Sequence, residues 1–178
     1  MLKIACYTTY KLFCGTIMEQ WIELLKANNY LGIKKYLKNG ASPNESEENG
    51  ESVICFALRY HCDLEILELL IAEGANLYET DNEGVSVFDI AVTYNNLFLI
   101  EKLIKDGFDV NKSTRRSGFT PLMGAVCYGR VEVIQKLLDM GVDVKVRDGH
   151  GLTAIDFARK MHKKAILALL QGEKDGTV

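Results

Sequence analysis

The side chains of this chain best able to ligate a metal or attack a substrate are three histidines, His61, His150 and His162, and five cysteines, Cys6, Cys14, Cys55, Cys62 and Cys127. One histidine and one cysteine are adjacent. His61 and Cys62 offer an imidazole and a thiol, donors suited to haem iron or a soft metal. Adjacent side chains rarely converge on one ion, so this pair supports only an alternative reading, that of a small-ligand carrier or accessory protein. Asp89 and Asp156 each stand three residues after a hydroxyl residue, Ser86 and Thr153, with no base, nucleophile or metal-ligand partner beside them. Catalysis needs such a constellation, and a lone carboxylate does not supply it. Cys55 reads as a small core residue rather than a nucleophile. His-Glu-x-x-His, a phosphate-binding glycine loop and Gly-x-Ser-x-Gly are all missing, so the sequence points away from an enzyme and calls for no cofactor or metal.

The odd number of cysteines, with no Cys-x-x-Cys among them, fits reduced thiols in a cytoplasmic compartment. A formal charge of -3 gives no overall basic field to draw nucleic acid or an anionic membrane. Thr8, Thr9, Tyr10 and Lys11 interrupt the opening residues, which make a poor signal peptide. No stretch approaches the roughly 18 apolar residues that a spanning helix requires. With 178 residues, 48% of them apolar and 25% charged, the chain fits one ordinary soluble domain.

The elements that position these residues are announced by two series of glycines. Gly40, Gly74, Gly107 and Gly141 make up one, and Gly50, Gly84, Gly118 and Gly151 the other. Both series step along the chain by about 34 residues, the length of a repeated helical unit. Each glycine of the second series lies two residues before Ser52, Ser86, Thr120 or Thr153. Between the series the pattern is helical. Thr120 can cap a first helix with Pro121 at its first position, and Gly129 ends it. Val131, Ile134, Leu137 and Leu138 then recur at the spacing of a second amphipathic helix, which Gly141 closes in the left-handed conformation. Ser86 with Asp89, and Thr153 with Asp156, have the form of capping boxes.

Gly118-Phe-Thr-Pro-Leu, Val131-Glu-Val-Ile and Gly141-Val-Asp-Val resemble the ankyrin repeat. Leu64-Glu-Ile-Leu-Glu-Leu-Leu-Ile-Ala-Glu-Gly-Ala-Asn-Leu and Leu97-Phe-Leu-Ile-Glu-Lys-Leu-Ile-Lys-Asp-Gly-Phe-Asp-Val-Asn are similar to its second helix. The resemblance implies an all-α ankyrin-repeat solenoid of about five helix-turn-helix units over residues 16–172, with divergent capping units at both ends. The units fall at about 16–46, 47–80, 81–113, 114–147 and 148–172, behind a leader of residues 1–15 and before a flexible tail of residues 173–178. Where the family carries histidine in Thr-Pro-Leu-His, this chain has Cys55, Asp89, Met123 and Asp156, so the family's imidazole network is not expected. Unit two carries one extra residue around Tyr60 to Asp63, and unit four one in Lys112 to Ser117. Thr16 and Glu19 form a capping box for the opening helix, and a start at Met18 would delete that cap, which favours the longer chain.

No single unit can bury its own aliphatic residues, so neighbouring units supply the other wall, and the first helices and turn tips are left as a surface free to vary. The resemblance implies a monomeric protein-interaction module, an adaptor, inhibitor or scaffold that binds another protein. The partner-binding residues expected on that surface are Arg59, Tyr60, Val85, Tyr94, Arg115, Arg116, Phe119 and Tyr128. Tyr60, Tyr94 and Tyr128 recur with the period of the glycines, and tyrosine offers large contact area at small cost in rotamer entropy. Arg115, Arg116 and Phe119 cluster at one tip. Glu45, Glu47, Glu48 and Glu51 at another read as a solvated loop, and their interruption of the turn edge argues against nucleic acid.

Overall fold

A computed structural model describes residues 18–172. The leader, the Thr16 cap and the residue 173–178 tail lie outside the described residues. Within them the chain is all-α, as the repeat pattern predicts. Five first helices, α1 (18–26), α3 (Val53–Arg59), α5 (Val87–Thr93), α7 (Pro121–Tyr128) and α9 (Ala154–Lys160), alternate with five second helices. The second helices are α2 (Tyr30–Lys38), α4 (Leu64–Ala72), α6 (Leu97–Lys105), α8 (Val131–Asp139) and α10 (Lys164–Leu170). No helix among the described residues is long and apolar enough to cross a membrane.

The first helices start where the hydroxyls predict. Ser86 and Thr153 accept from the N–H groups of Asp89 and Asp156, whose carboxylates accept in return from the cap N–H at 3.0 and 2.9 Å. At Thr120 the reciprocal acceptor is the Met123 sulfur, 3.4 Å from the cap nitrogen. At Ser52 the hydroxyl reaches the Cys55 sulfur at 3.5 Å. The four positions that depart from the family's histidine thus surround the caps.

A second constraint, not anticipated from the glycines, sits between the two helices of every pair. Asn28, His61, Asn95, Gly129 and His162 all have positive φ, between 48 and 70°. They follow one another with the same period as the two glycine series. The chain must reverse there within a few residues. A left-handed residue does this, and among non-glycine residues Asn and His adopt that conformation more readily than most.

The chain divides into two compact segments, one ending at Asn82 and one beginning at Glu83. In the first, α2 and α3 both pack on α4, around the buried Leu25, Ile33, Leu58, Leu67 and Leu70. Trp21 is fully buried, edge-on to Tyr36 with ring centroids 5.1 Å apart, and its indole N–H donates to Glu45 at 2.7 Å. Glu51 is only 8% exposed and pairs with Arg59. Glu47 and Glu48 are exposed, but the solvated-loop reading is corrected for Glu45 and Glu51, whose carboxylates tie the tips to the helices.

In the second segment α5 packs on α7 and α7 on α9, while α6, α8 and α10 each pack on the first helix of their own pair. Phe88, Ile100, Leu103, Leu122, Ile134 and Leu137 fill the interior. The Arg130 guanidinium donates to the Thr93 carbonyl at 2.9 and 2.5 Å, placing a cation at the carbonyl end of α5. The extra residue of Lys112 to Ser117 is absorbed by a loop in which Ser113 donates to the Phe119 carbonyl at 2.8 Å and Thr114 to the Gly84 carbonyl at 2.7 Å. Backbone bonds join successive tips, from Arg116 N–H to the Glu83 carbonyl at 3.3 Å and from Gly149 N–H to the Ser117 carbonyl at 2.7 Å.

Gly84 is where this tip packing is least forgiving. Its φ is +79°, and a Cβ there would lie 2.2 Å from the Thr114 carbonyl oxygen, a backbone atom. Gly74 has a similar φ of +91° but open space around it. Urea denaturation should therefore show Gly74→Ala losing about 1 kcal/mol from backbone strain alone, and Gly84→Ala losing distinctly more. Equal losses would mean that the tip yields freely.

Candidate functional site

A protein-binding surface needs side chains that are exposed and not already spent inside the chain. In α7 every residue from Pro121 to Val126 is buried, and in α3 every residue from Val53 to Leu58. The strip expected along the first helices is thus closed over much of their length, and exposure concentrates at the helix ends. The eight residues of α7, at 1.5 Å rise per residue, hold its two ends about 12 Å apart. The candidate residues accordingly fall into two groups. Arg59, Tyr60, Tyr94 and Tyr128 lie at the ends facing the second helices, and Val85, Arg115, Arg116 and Phe119 at the tips.

At the first kind of end, Tyr128 is 55% exposed. Tyr94 is half-buried at the corresponding end of α5, which packs on α7. Tyr60 is half-buried and stacked on Phe56 at 6.2 Å, with the Lys26 ammonium 5.4 Å from its ring centre. The Arg59 guanidinium lies over Phe56 at 5.2 Å and is paired with Glu51, so much of its bonding capacity is used within its own repeat. Burial pushes the Glu51 carboxyl above its usual range, against the opposing pull of Arg59 and Asn49. Two further residues belong to this group and were not among those expected. Val131 is 53% exposed and Met161 45%. Met161 continues the register of Tyr128 one repeat further on, at the end of a helix packed against α7, and Val131 lies just across the turn. The register was readable in the sequence; the exposure was not.

At the tips, Arg115 is spent on structure. Its Nε lies 3.3 Å from Asp89, a carboxylate only 4% exposed, and its guanidinium sits 5.2 Å over the Phe119 ring. Phe119 in turn meets Phe157 edge-on at 5.4 Å. Val85 is half-buried just before the Ser86 cap, and Arg116 is exposed. Arg115 and Phe119 are therefore brought together, as their proximity in sequence suggests, but to brace the loop.

The alternative site at His61 and Cys62 is corrected by the direction of the thiol. Cys62 is 7% exposed and donates to the Leu25 carbonyl at 3.3 Å, while His61 is exposed at the left-handed position of the turn. The two donors do not face one ion. Burial pushes the Cys62 and Cys55 thiols up to about 11 and raises Cys127 as well, with Lys163 opposing. Among the described residues no three of His, Cys, Asp and Glu converge as a metal would need.

A helix pair repeated at this period, with capped first helices and tips bonded to their neighbours, defines a helical-repeat protein. The family model for ankyrin repeats in three copies matches residues 24–114 and again 90–177, and the chain belongs to the ankyrin-repeat family. It is also 34% identical over 93 residues to the nuclear factor NF-kappa-B p105 subunit of Gallus gallus. That match covers 51% of this chain and 9% of the relative, so the chain spans under a tenth of that protein's length. Ankyrin repeats generally act as protein-interaction modules, and the family is typically non-catalytic.

Two measurements test the roles assigned to the turn of the second pair. In urea denaturation His61→Val should lose about 1–3 kcal/mol more than His61→Asn, since a β-branched residue resists the positive φ that asparagine tolerates. At pH 8 iodoacetamide should modify Cys127 faster than Cys55 or Cys62 in the folded chain, because a thiol near 11 is almost wholly protonated there. Equal rates for the three, read by peptide mass spectrometry, would contradict the burial of Cys62.

Proposed function

We propose that this chain is a monomeric, cytoplasmic interaction module, an adaptor, inhibitor or scaffold, whose ankyrin-repeat domain occupies residues 16–172 in five units. It holds a folded protein partner through the ends of its first helices and its turn tips. Tyr60, Tyr94 and Tyr128 with Arg59 contribute from the first group, and Val85, Arg115, Arg116 and Phe119 from the second. Within the second group Arg115 and Phe119 act by fixing the loop that presents Arg116.

The observation that carries this reading is the exposure of Tyr128, Val131 and Met161 at one edge of the second segment. Large apolar side chains left in water together are unfavourable to a monomer in isolation, and such groups mark contact surfaces. Tyrosine and methionine suit the task, one rigid and amphipathic, the other adaptable. Among the described residues nothing comparable gathers around a titratable group, which favours binding over catalysis.

The test pairs two baits, the wild-type chain and the Tyr128→Ala, Met161→Ala variant, in affinity capture from native lysate read by mass spectrometry. Both side chains are exposed, so the thermal unfolding of the variant should match wild type. A partner recovered by wild type should be weakened by about 2 kcal/mol, roughly thirtyfold, in the variant. Equal recovery on two folded baits would remove this edge from the interface.

A further inference from the structure

We infer that the tip edge of the segment from Glu83 onward recognises an acidic, extended polypeptide segment, whose carboxylates pair with Lys112, Arg116, Lys145 and Arg147. The inference rests on the interaction-module reading and adds the chemistry of what this edge takes.

The charges of the chain are unevenly divided. Residues 18–82 carry five Lys and Arg against twelve Asp and Glu, and residues 83–172 carry thirteen against ten. More telling is where the charges of the tips point. Glu83, Asp109 and Asp143 are exposed, but the tip aspartates also accept from their own loops. Asp109 accepts from the Asn111 N–H at 3.0 Å, Asp143 from the Lys145 N–H at 2.8 Å, and Asp148 from both His150 and Leu152 at 2.9 Å. Asp89 is buried against Ser86 and Arg115. The cations turn outward. Lys112, Arg116, Lys145 and Arg147 are exposed. Among the described residues the side chains of the first three make no hydrogen bond or ion pair, and Arg147 spends one N–H on the Gly151 carbonyl at 2.6 Å. An edge whose tip aspartates accept from their own loops while its charged donors stay open is suited to carboxylates from outside.

Its backbone is also fixed. The Asp143 N–H donates to the Asn111 side chain at 2.8 Å, and the Gly149 N–H to the Ser117 carbonyl at 2.7 Å. These two clasps flank Lys112 to Arg116 on one tip and Lys145 to Arg147 on the next, so the four cations share one surface. Packed helices lie about 8–10 Å apart, and an extended chain in the polyproline II conformation advances about 3.1 Å per residue with three residues per turn. Carboxylates three residues apart in such an extended segment therefore lie on one face and match the step from one tip to the next. A nucleic-acid backbone fits less well, because a continuous line of phosphates would pass over Asp109, Asp143 and Asp148, whereas separate side chains can reach each cation individually.

The test is fluorescence anisotropy with the full chain and a fluorescein-labelled peptide of Glu-Ser-Thr repeats. A Gln-Ser-Thr peptide and a labelled single-stranded oligonucleotide serve as comparisons. The glutamate peptide should bind, and bind less well as salt is raised. Arg116→Glu and Lys145→Glu should each weaken it about threefold and together about tenfold. Lys164→Glu makes the same change in net charge in the first turn of α10, at the opposite end of its helix pair, and should leave binding unchanged. Equal weakening by Lys164→Glu, equal binding of the glutamine peptide, or tighter binding of the oligonucleotide would each overturn the proposal. Capture experiments separate this failure from failure of the module itself. A partner lost by the Tyr128→Ala, Met161→Ala variant but retained by Arg116→Glu, Lys145→Glu would remove the acidic-segment proposal and leave the module standing.

Discussion

Everything in this chain depends on a hydroxyl buried at the start of a short helix. A first helix of seven or eight residues has nearly as many orphan backbone donors at its N-terminus as bonds within it, and in water it would not persist. It persists because Ser86, Thr120 and Thr153, buried at the caps, each accept from a first-turn N–H, while the buried Ser52 hydroxyl donates to the Cys55 sulfur, so each helix can be enclosed by neighbouring elements with its cap hydroxyl satisfied. What stands three residues later decides how well. Asp89 and Asp156 accept twice, from the cap N–H and the cap hydroxyl, whereas Met123 and Cys55 bring only a weakly bonding sulfur. The third and fifth pairs are thus the better-capped, and the imidazole usual in the family is not required for the cap to close.

A buried carboxylate is costly unless it is paired, and this sets the next layer of structure. The second oxygen of Asp89 faces Arg115, which comes from the loop carrying the extra residue, and Arg115 is steadied by Phe119 and Phe119 by Phe157. The chain runs from cap to loop to core aromatics. Glu51 and Arg59, with Phe56 beneath the guanidinium, repeat the arrangement in the other segment. Both arginines are fastened to carboxylates by the requirement that first-helix starts and tips leave no charge uncompensated.

That fastening marks the limit of what the sequence discloses. The two glycine series, the hydroxyls two residues beyond the second, and the aliphatic period of the second helices locate every helix pair, because each reflects a local backbone requirement that one residue type meets. The capping role of Asp89 and Asp156 was legible for the same reason. The left-handed turn residues were harder to see, since Asn28, His61, Asn95, Gly129 and His162 share a conformation but not a residue type. Long charged side chains were harder still. Arg115 and Arg116 are indistinguishable in sequence, yet one is folded onto Asp89 and the other stands in solvent. Spacing fixes where a Cα lies, but the direction of a guanidinium depends on carboxylates and rings brought close by tertiary packing. The same limit made His61 and Cys62 look like a pair, when the turn directs one outward and the other toward Leu25.

The burial of the first helices also restricts where recognition can evolve. A substitution in the middle of α7 changes a core in which Leu122, Met123, Ala125 and Val126 have no room to vary, and it would cost stability before it altered a partner. Change is tolerated at the helix ends, where Tyr128, Val131 and Met161 are exposed, and at the tips, where backbone clasps hold the loop while the side chains of Lys112, Arg116 and Lys145 remain unconstrained. The two edges differ in chemistry, one apolar and one cationic, and a rigid helix keeps them about 12 Å apart. A partner that touches only one edge gains little beyond generic affinity. A partner that places an apolar surface and an acidic segment at that separation gains both terms with little further ordering of either protein, because the capped helix has already fixed the spacing.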